Sequence, residues 1–227
     1  MAARPDDAEF TYSGNLLPQG VRVFDQHAQE YDCWFDEREA LYQSEVNALR
    51  RFVPEAGCGI EIGTGTGRFS VPFDIRLGVE PSRSMARIAH ARGIAICQAK
   101  GEALPFHDDQ FDFALLVTVV CFVSSVRVLF QEVRRVLKPG GRIILGFIDR
   151  NSPLGQMYEA HKANDTFYRV ARFYSVADIA DRVRQTGFGA MQFCQTIFGV
   201  PGDAPAIQPM RDGYGEGAFV VLSAKKD

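Results

Sequence analysis

The chain has 227 residues, of which 46% are hydrophobic and 11% aromatic, and its formal net charge is −3. This length is enough for one sizeable core and short for two complete domains, so we expect a single domain. The basic residues are dispersed, which argues against general affinity for nucleic acid or for a membrane surface, because phosphate binding needs clustered lysine and arginine.

Neither the amino-terminal segment nor any later window is apolar for long enough to act as a signal peptide or a membrane span, and we expect a cytoplasmic location. The five cysteines are scattered, without a CxxC or a zinc-type spacing. His107, Asp108 and Asp109 lie together in a turn and are interpreted as solvated loop residues. The sequence therefore predicts no metal site.

Residues 1–22 are polar, rich in turn formers and without periodicity, which predicts an arm laid on the surface. Residues 23–52 follow a helical pattern, with apolar positions at Tyr31, Trp34 and Phe35. We interpret this second segment as cap helices that belong to the domain.

The domain runs from residue 23 to residue 227, and after the cap helices its strand and helix signals alternate. Helices are predicted at 82–92, where Ser82 can cap, at 125–137 and at 175–186. The strands are nearly continuous in apolar residues, as expected where helices cover both faces, and repeated βα units predict a doubly wound α/β sheet. The predicted strands are residues 58–62, 75–79, 94–97, 111–119, 142–148, 188–198 and 217–223.

The stretch GIEIGTGTGRFS, residues 59–70, places three glycines at alternate positions after a short apolar strand. Such a turn makes a nucleoside or anion site, because glycine lets the backbone approach a ligand closely. A dinucleotide fingerprint would need glycine at Arg68, so a nicotinamide oxidoreductase is disfavoured. The motif is instead ExGxGxG, over residues 61–67.

This motif resembles the first motif of class I S-adenosylmethionine (SAM) dependent methyltransferases, in the small-molecule branch of the ubiquinone and menaquinone methyltransferases. The resemblance implies SAM as cofactor and S-adenosylhomocysteine as product. It implies that Glu61 meets the cationic methionyl end and that Gly63, Thr64 and Gly65 form the turn beside the sugar.

The segment LGVEPS places Glu80 at the end of the second predicted strand, where an acid can accept both ribose hydroxyls. The alternative is a carboxylate that caps the helix beginning near Ser82. The resemblance favours the ribose ligand and places Pro81, Ser82 and Met85 beside the adenosine.

The segment QAKGEALPF resembles the family's loop after the third strand, and this implies that Gly101, Glu102 and Ala103 face the adenine edge. Lys100 departs from the small or acidic residue usual there. Thr118, at the end of the fourth strand, is a further cofactor candidate, and the apolar run that follows it disfavours adenine-N6 and protein-glutamine acceptors.

The segment KPGGRIILG resembles the family's helix stop and fifth strand. The resemblance completes the fold class as a Rossmann-like sheet of about seven strands with helices on both faces, mostly parallel, with an antiparallel last strand between the fifth and sixth. VFDQHAQEYDCWF resembles the family's entry helix, which implies that Tyr31 and Trp34 line the cofactor pocket; the alternative is that they are ordinary core residues.

Substrate contacts are expected from the cap helices, where Trp34 is also a substrate candidate, and from the aromatic and charged insert at residues 150–174, because these segments can cover the carboxyl ends of the strands. His27, Tyr31 and His161 are candidate catalytic residues, and for the histidines the alternative is a surface role. The insert could equally be a hydrophobic lid or a homodimer contact. Candidates in the insert are Tyr158, His161, Lys162, Tyr168, Arg172 and Tyr174.

The function that these motifs predict is methyl transfer from SAM to a small-molecule acceptor, with the attacked N, O, S or C atom left open. The sulfonium already makes the methyl electrophilic, so alignment and exclusion of water suffice and a dedicated base is optional. The alternative is a non-catalytic SAM-binding sensor or partner subunit.

Overall fold

The computed structural model describes residues 19–199 and 206–227. Three helices come first: α1 (Gln19–Gln26), α2 (Ala28–Glu37) and α3 (Glu39–Arg50). Of the arm predicted for residues 1–22, all but the last four residues lie outside the described part of the chain. Residues 19–22 are helical, so the cap begins earlier than the sequence indicated.

Strands and helices then alternate along the chain. They are β1 (Gly59–Ile62), β2 (Leu77–Val79), α4 (Arg83–Ala91), β3 (Ala95–Cys97), β4 (Phe111–Val117), α5 (Val126–Val136), β5 (Leu137–Ile148), α6 (Pro153–His161), α7 (Val176–Gln185), β6 (Phe188–Phe198), β7 (Arg211–Asp212) and β8 (Gly217–Lys226). The side chains of Ser82, Ser125 and Ser175 cap α4, α5 and α7 by accepting a backbone N–H. In the described part of the chain, no helix combines the length and apolarity that crossing a bilayer requires.

All strands join one eight-stranded sheet in the order β3-β2-β1-β4-β5-β8-β6-β7. Pairs from β3 to β5 are parallel, whereas β8 runs antiparallel to both β5 and β6. The predicted fold class is therefore confirmed, including the position of the last long strand. The two-residue β7, which lies in the loop before β8, is one strand more than the sequence predicted.

Successive residues of the central strands face two separate hydrophobic clusters. On β4, Ala114 and Leu116 belong to the cluster formed with α5 and α7, whereas Phe113 and Leu115 belong to the cluster formed with α2 and α3. This period of two places helices on both faces of the sheet. It also fixes the direction of each side chain in the short β1, which the site depends on.

The first crossover contains no α-helix among its residues, all of which are described. A single 3₁₀ turn, Val71–Phe73, follows the glycine motif, and Asp74 ends it in the left-handed conformation at φ 53°. Pro72 lies inside this turn and has no backbone N–H, so it cannot donate a hydrogen bond that would help to continue the turn as a helix. The short connection leaves the space beside the glycine turn to the cap helices.

Replacing Gly59 by alanine is predicted to destabilise the sheet, because the new Cβ would lie 2.1 Å from Cζ of the buried Phe113. Overpacking of this kind costs about 1–3 kcal/mol of unfolding free energy. Urea unfolding measures the loss. Gly20→Ala is the control, since its Cβ would have no neighbour closer than 3.5 Å within a helix; equal stability of the two variants would contradict the packing at Gly59.

Candidate functional site

One pocket opens where the carboxyl ends of β1, β2 and β4 meet, and it encloses about 820 Å³ including the space open to solvent. Gly63 and Gly65 line it after β1, Glu80 after β2 and Thr118 after β4, while Tyr31 covers it from α2. The other lining residues are Gly20, Val21, Phe24, Ile62, Pro81, Met85, Lys100, Gly101, Glu102, Val117, Val119, Phe122, Val123 and Ser124.

The glycine turn presents bare backbone to this pocket, which we call the first pocket. Gly63 and Gly65 have φ values of 72° and 56°, which side chains rarely adopt. A Cβ on Gly63 would lie 2.3 Å from Val119, and one on Gly65 would point toward Tyr31, 3.7 Å from its ring. Any larger side chain at Gly65 would therefore occupy space that a ligand can use.

Glu80 is 7% exposed and holds the two strand ends together. Its carboxylate accepts the N–H of Gly65 at 2.9 Å and the N–H of Ser82 at 2.8 Å. Burial raises the pKa of Glu80 to about 7, against the lowering effect of these two N–H groups. Two of the four lone-pair positions of the carboxylate remain for a ligand, and the helix cap is supplied by Ser82 rather than by Glu80.

Glu61 is not among the residues that line the first pocket. Its neighbours Ile60 and Ile62 face the α5 and α7 cluster, so the alternation of the strand turns Glu61 to the opposite side. There it is 1% exposed and accepts the hydroxyl of Ser70. Burial raises the pKa of Glu61 to about 8. The structure therefore joins Glu61 to Ser70 behind the glycine turn, and its predicted contact with the methionyl end of SAM stays a prediction.

Three further cofactor candidates lie next to the first pocket without lining it. The Thr64 hydroxyl donates to the backbone oxygen of Glu61 at 3.0 Å, and the Ser82 hydroxyl donates to Asp25 of α1 at 2.8 Å. Ala103 is exposed on the loop after β3. These residues shape the turns from which the lining residues project.

The loop after β3 and the end of β4 close the first pocket on its other side. Glu102 lines it and accepts the N–H of Ser124 at 2.7 Å, and Lys100 lines it as well although it departs from the family pattern. Thr118 has φ 54° and donates its N–H to Gly146 at 2.7 Å. A β-branched residue in this conformation is strained, as residues at functional sites often are.

Arg68, which follows the third glycine, joins the glycine turn to the cap. Its guanidinium donates to Asp32 at 2.9 Å and to Asp36 at 2.7 Å, both on α2. Arg92 donates to the second oxygen of Asp32 at 2.8 Å. The two guanidinium groups hold the pKa of Asp32 well below its usual range. The ion pairs of Asp32 with Arg68 and Arg92 therefore hold α2 in place, and with it Tyr31, the residue before Asp32, over the first pocket.

A second pocket adjoins the first and shares Phe24, Tyr31, Thr118 and Phe122 with it; it encloses about 850 Å³ including the space open to solvent. Of the predicted substrate residues, Trp34, Tyr158 and Tyr168 line it. The other lining residues are Phe35, Leu41, Glu45, Phe69, Ile148, Leu154, Asp165, Phe167 and Ile197.

The remaining candidates lie outside both pockets. The ring of His27 pairs with Glu30 at 2.9 Å, and the ring of His161 contacts the backbone oxygen of Met157 at 2.9 Å, both at the surface. Arg172 stacks over Tyr174 at 5.3 Å, and Lys162 pairs with Glu159 at 2.5 Å. Within the described ranges, no group of three His, Cys, Asp or Glu side chains could hold a metal ion.

The sequence reasoning missed two parts of the site. One is α1, which contributes to the first pocket Gly20 and Val21, inside the arm predicted for residues 1–22, and Phe24, just after it. The other is Glu45, which lies one helical turn from both Leu41 and Leu49 on the buried face of α3. The sequence signal that could have identified Glu45 is an acidic residue within the apolar stripe of a predicted helix.

Comparison with known proteins identifies relatives that span almost the whole chain. Residues 60–145 match the family model described as a methyltransferase domain. An uncharacterized protein of Methanocaldococcus jannaschii is 48% identical over 206 residues, covering 91% of this chain and 100% of that protein. An uncharacterized protein of Mycobacterium tuberculosis is 36% identical over 233 residues, covering 98% and 82%.

A solved structure is similar in both sequence and fold. It is the crystal structure of a protein of Thermotoga maritima described as a SAM-dependent methyltransferase, possible histamine N-methyltransferase. The two chains are 44% identical and superpose with a TM-score of 0.88, covering 90% of this chain and 99% of the other.

Arg68→Ala is predicted to loosen the cap, because it leaves Asp32 with one cationic partner and Asp36 with none among the described residues. Hydrogen bonds to charged groups contribute about 1.5–3 kcal/mol, and urea unfolding should show a loss of this size. Arg76→Ala, which removes an exposed pair with Asp74, is the control and should change stability by less than about 0.5 kcal/mol. A loss no larger than the control's would contradict the role of Arg68.

The stability of the ligand-free protein is predicted to fall as pH rises from about 5 to about 8. Glu45, Glu61 and Glu80 have pKa values raised to about 8, 8 and 7, above the value of an unfolded chain. In this pH window the folded state therefore binds more protons than the unfolded state. Raising the pH removes these protons and so lowers the free energy of unfolding. Urea unfolding at several pH values and constant salt measures this slope, and Glu45→Gln should flatten it. A flat or rising wild-type profile would contradict the buried positions of these carboxyl groups.

Proposed function

The chain belongs to the family of SAM-dependent methyltransferases, and on that premise we propose that it transfers a methyl group from SAM to a small molecule bound in the second pocket. The observation that carries the proposal is the junction of the two pockets, which share Phe24, Tyr31, Thr118 and Phe122. A donor in one pocket and an acceptor in the other would meet there.

The first pocket has the chemical character that SAM requires. Bare glycine backbone at Gly63 and Gly65 allows close approach, and Glu80 keeps free acceptor positions for a ribose diol. Ile62 and Met85 offer an apolar wall for a planar base. In this arrangement Glu61 supports the turn through Ser70.

Bound SAM supplies a methyl group that its sulfonium already makes electrophilic. The protein then has to align the acceptor and keep water out. Phe24 and Tyr31 from the cap, with Phe122 from the loop after β4, form an aromatic cover at the junction: the ring of Phe24 lies 5.5 Å from Tyr31 and 4.8 Å from Phe122. Neither His27 nor His161 lines the pockets, and the proposed transfer uses no histidine base.

A small-molecule acceptor is supported by the shape of the second pocket. Its walls are mainly aromatic and aliphatic and it is bounded by the cap, α6 and the loop after α6. The Thermotoga relative is described as a possible histamine N-methyltransferase, and this description also supports a small-molecule acceptor. The proposal is tested by incubating the protein with methyl-labelled SAM and a metabolite extract and searching for labelled products by mass spectrometry. SAM binding without any labelled product would favour the sensor or partner-subunit alternative.

Glu80→Ala is predicted to weaken S-adenosylhomocysteine binding by about 1.5–3 kcal/mol, the contribution of hydrogen bonds to a charged acceptor. Titration calorimetry measures the affinity, and thermal unfolding checks that the fold persists. Glu55→Ala, at an exposed carboxylate, is the matched control and should bind normally. Unchanged affinity in the Glu80 variant would remove this residue from the cofactor site.

A further inference from the structure

Glu45 is a buried carboxylate in the second pocket, and methyl transfer as proposed above makes no use of it. The residue is 6% exposed, on the face of α3 that packs against the sheet. Among residues 19–199 and 206–227 its carboxylate has no hydrogen bond and no ion pair, and burial alone accounts for its raised pKa, yet it lines the pocket. An unpaired acceptor directed into a cavity is a feature that a ligand can satisfy.

The second pocket holds two acidic side chains and no cationic side chain that could balance them. Glu45 and Asp165 are its carboxylates, and no lysine or arginine occurs among the described residues that line it. Asp165 already accepts the N–H groups of Phe167 at 2.8 Å and Tyr168 at 2.7 Å. Glu45 is therefore the carboxyl group left for a ligand. It holds a proton in the ligand-free pocket and would ionise beside a cation, so an anionic acceptor is disfavoured.

Aromatic rings surround this carboxylate. The charge of Glu45 contributes to the raised pKa values of Tyr31, Tyr158 and Tyr168, which come from three different segments. Tyr31 lies 5.6 Å from Phe167, and Tyr158 lies 4.6 Å from Tyr168, between ring centroids. Aromatic faces attract cations, and the attraction grows where water is excluded.

The position of Glu45 is costly without such a ligand. Burial raises its pKa to about 8, which expresses the penalty of ionising a carboxyl group away from water. A leucine would continue the stripe that Leu41 and Leu49 define and would avoid that penalty. A cation in the pocket would offset the cost by pairing with the carboxylate.

We propose that Glu45 binds a positively charged nitrogen of the methyl acceptor, so that the enzyme selects small amines with an apolar or aromatic body. The inference rests on the proposed function, because it concerns the same second pocket. The sulfonium of the cofactor is a less suitable partner, since Glu45 lines the second pocket and not the first.

The test compares matched cationic and neutral probes in the protein saturated with S-adenosylhomocysteine, which prevents turnover. The probes are benzylamine, 2-phenylethylamine and 3-phenylpropylamine, each against the alcohol of the same length, near pH 7 where the amines are protonated. Titration calorimetry measures binding to the wild type, to Glu45→Gln and to Glu39→Gln. Glu39 is exposed on the first turn of α3, so its variant removes a nearby charge outside the pocket.

The wild type and Glu39→Gln should bind at least one amine about tenfold or more tightly than its alcohol, and Glu45→Gln should lose most of that preference. The alcohols should bind all three proteins equally. If no amine binds better than its alcohol, or if Glu45→Gln keeps the preference, the proposal is overturned. It is also overturned if Glu45→Gln weakens SAM binding alone, which would assign the residue to the sulfonium.

Binding of S-adenosylhomocysteine in the same titrations separates this inference from the proposed function. Failure of the wild type to bind the cofactor product would refute the proposed function itself. Cofactor binding without a preference for amines would refute only the role of Glu45. Thermal unfolding verifies that Glu45→Gln is folded, and its midpoint should equal or exceed that of the wild type, because the substitution removes a buried ionisable group.

Discussion

The ion pair between Arg68 and Asp32 is the constraint on which both pockets depend. It joins the glycine turn to α2 through charge-assisted hydrogen bonds, at an arginine side chain that is 16% exposed. Helix α2 has no side-chain hydrogen bond at its N-cap, so such tertiary contacts decide where it lies. Because Tyr31 precedes Asp32 and lines both pockets, moving α2 would change the shape of both pockets together.

Much of the fold could be predicted because its strands are buried on both faces and read as continuous apolar runs, and because Ser82 and Ser175 mark helix starts. Helix α1 could not, since eight residues are too few to be stable alone. Its position comes from Asp25, which accepts the Ser82 hydroxyl and the N–H of Ser84 at 2.8 and 2.9 Å at the start of α4. That contact joins residues far apart in sequence.

The same distinction applies to the site. Gly63, Gly65 and Glu80 were predictable because their motifs are local and follow strand ends. The face of the sheet on which Glu61 lies could have been predicted from its apolar neighbours Ile60 and Ile62, which share the opposite face. A strand of four residues, however, is too short for such an alternation to be distinctive. The second pocket is assembled from α2, α3, α6 and the insert, so its composition depends on packing that no single segment encodes.

Three buried carboxylates around the pockets differ in how far the protein satisfies them. Glu61 accepts a hydroxyl behind the turn, and Glu80 accepts two N–H groups while facing a pocket. Glu45 has no hydrogen-bond or ion-pair partner in the described part of the chain. Each has a raised pKa because burial penalises its charge, and the rise is smallest for Glu80, whose N–H partners offset it. Since an unpaired buried acceptor costs more than a paired one, the acceptor capacity left free at Glu80 and Glu45 distinguishes the two carboxylates that line pockets from the one that supports the turn.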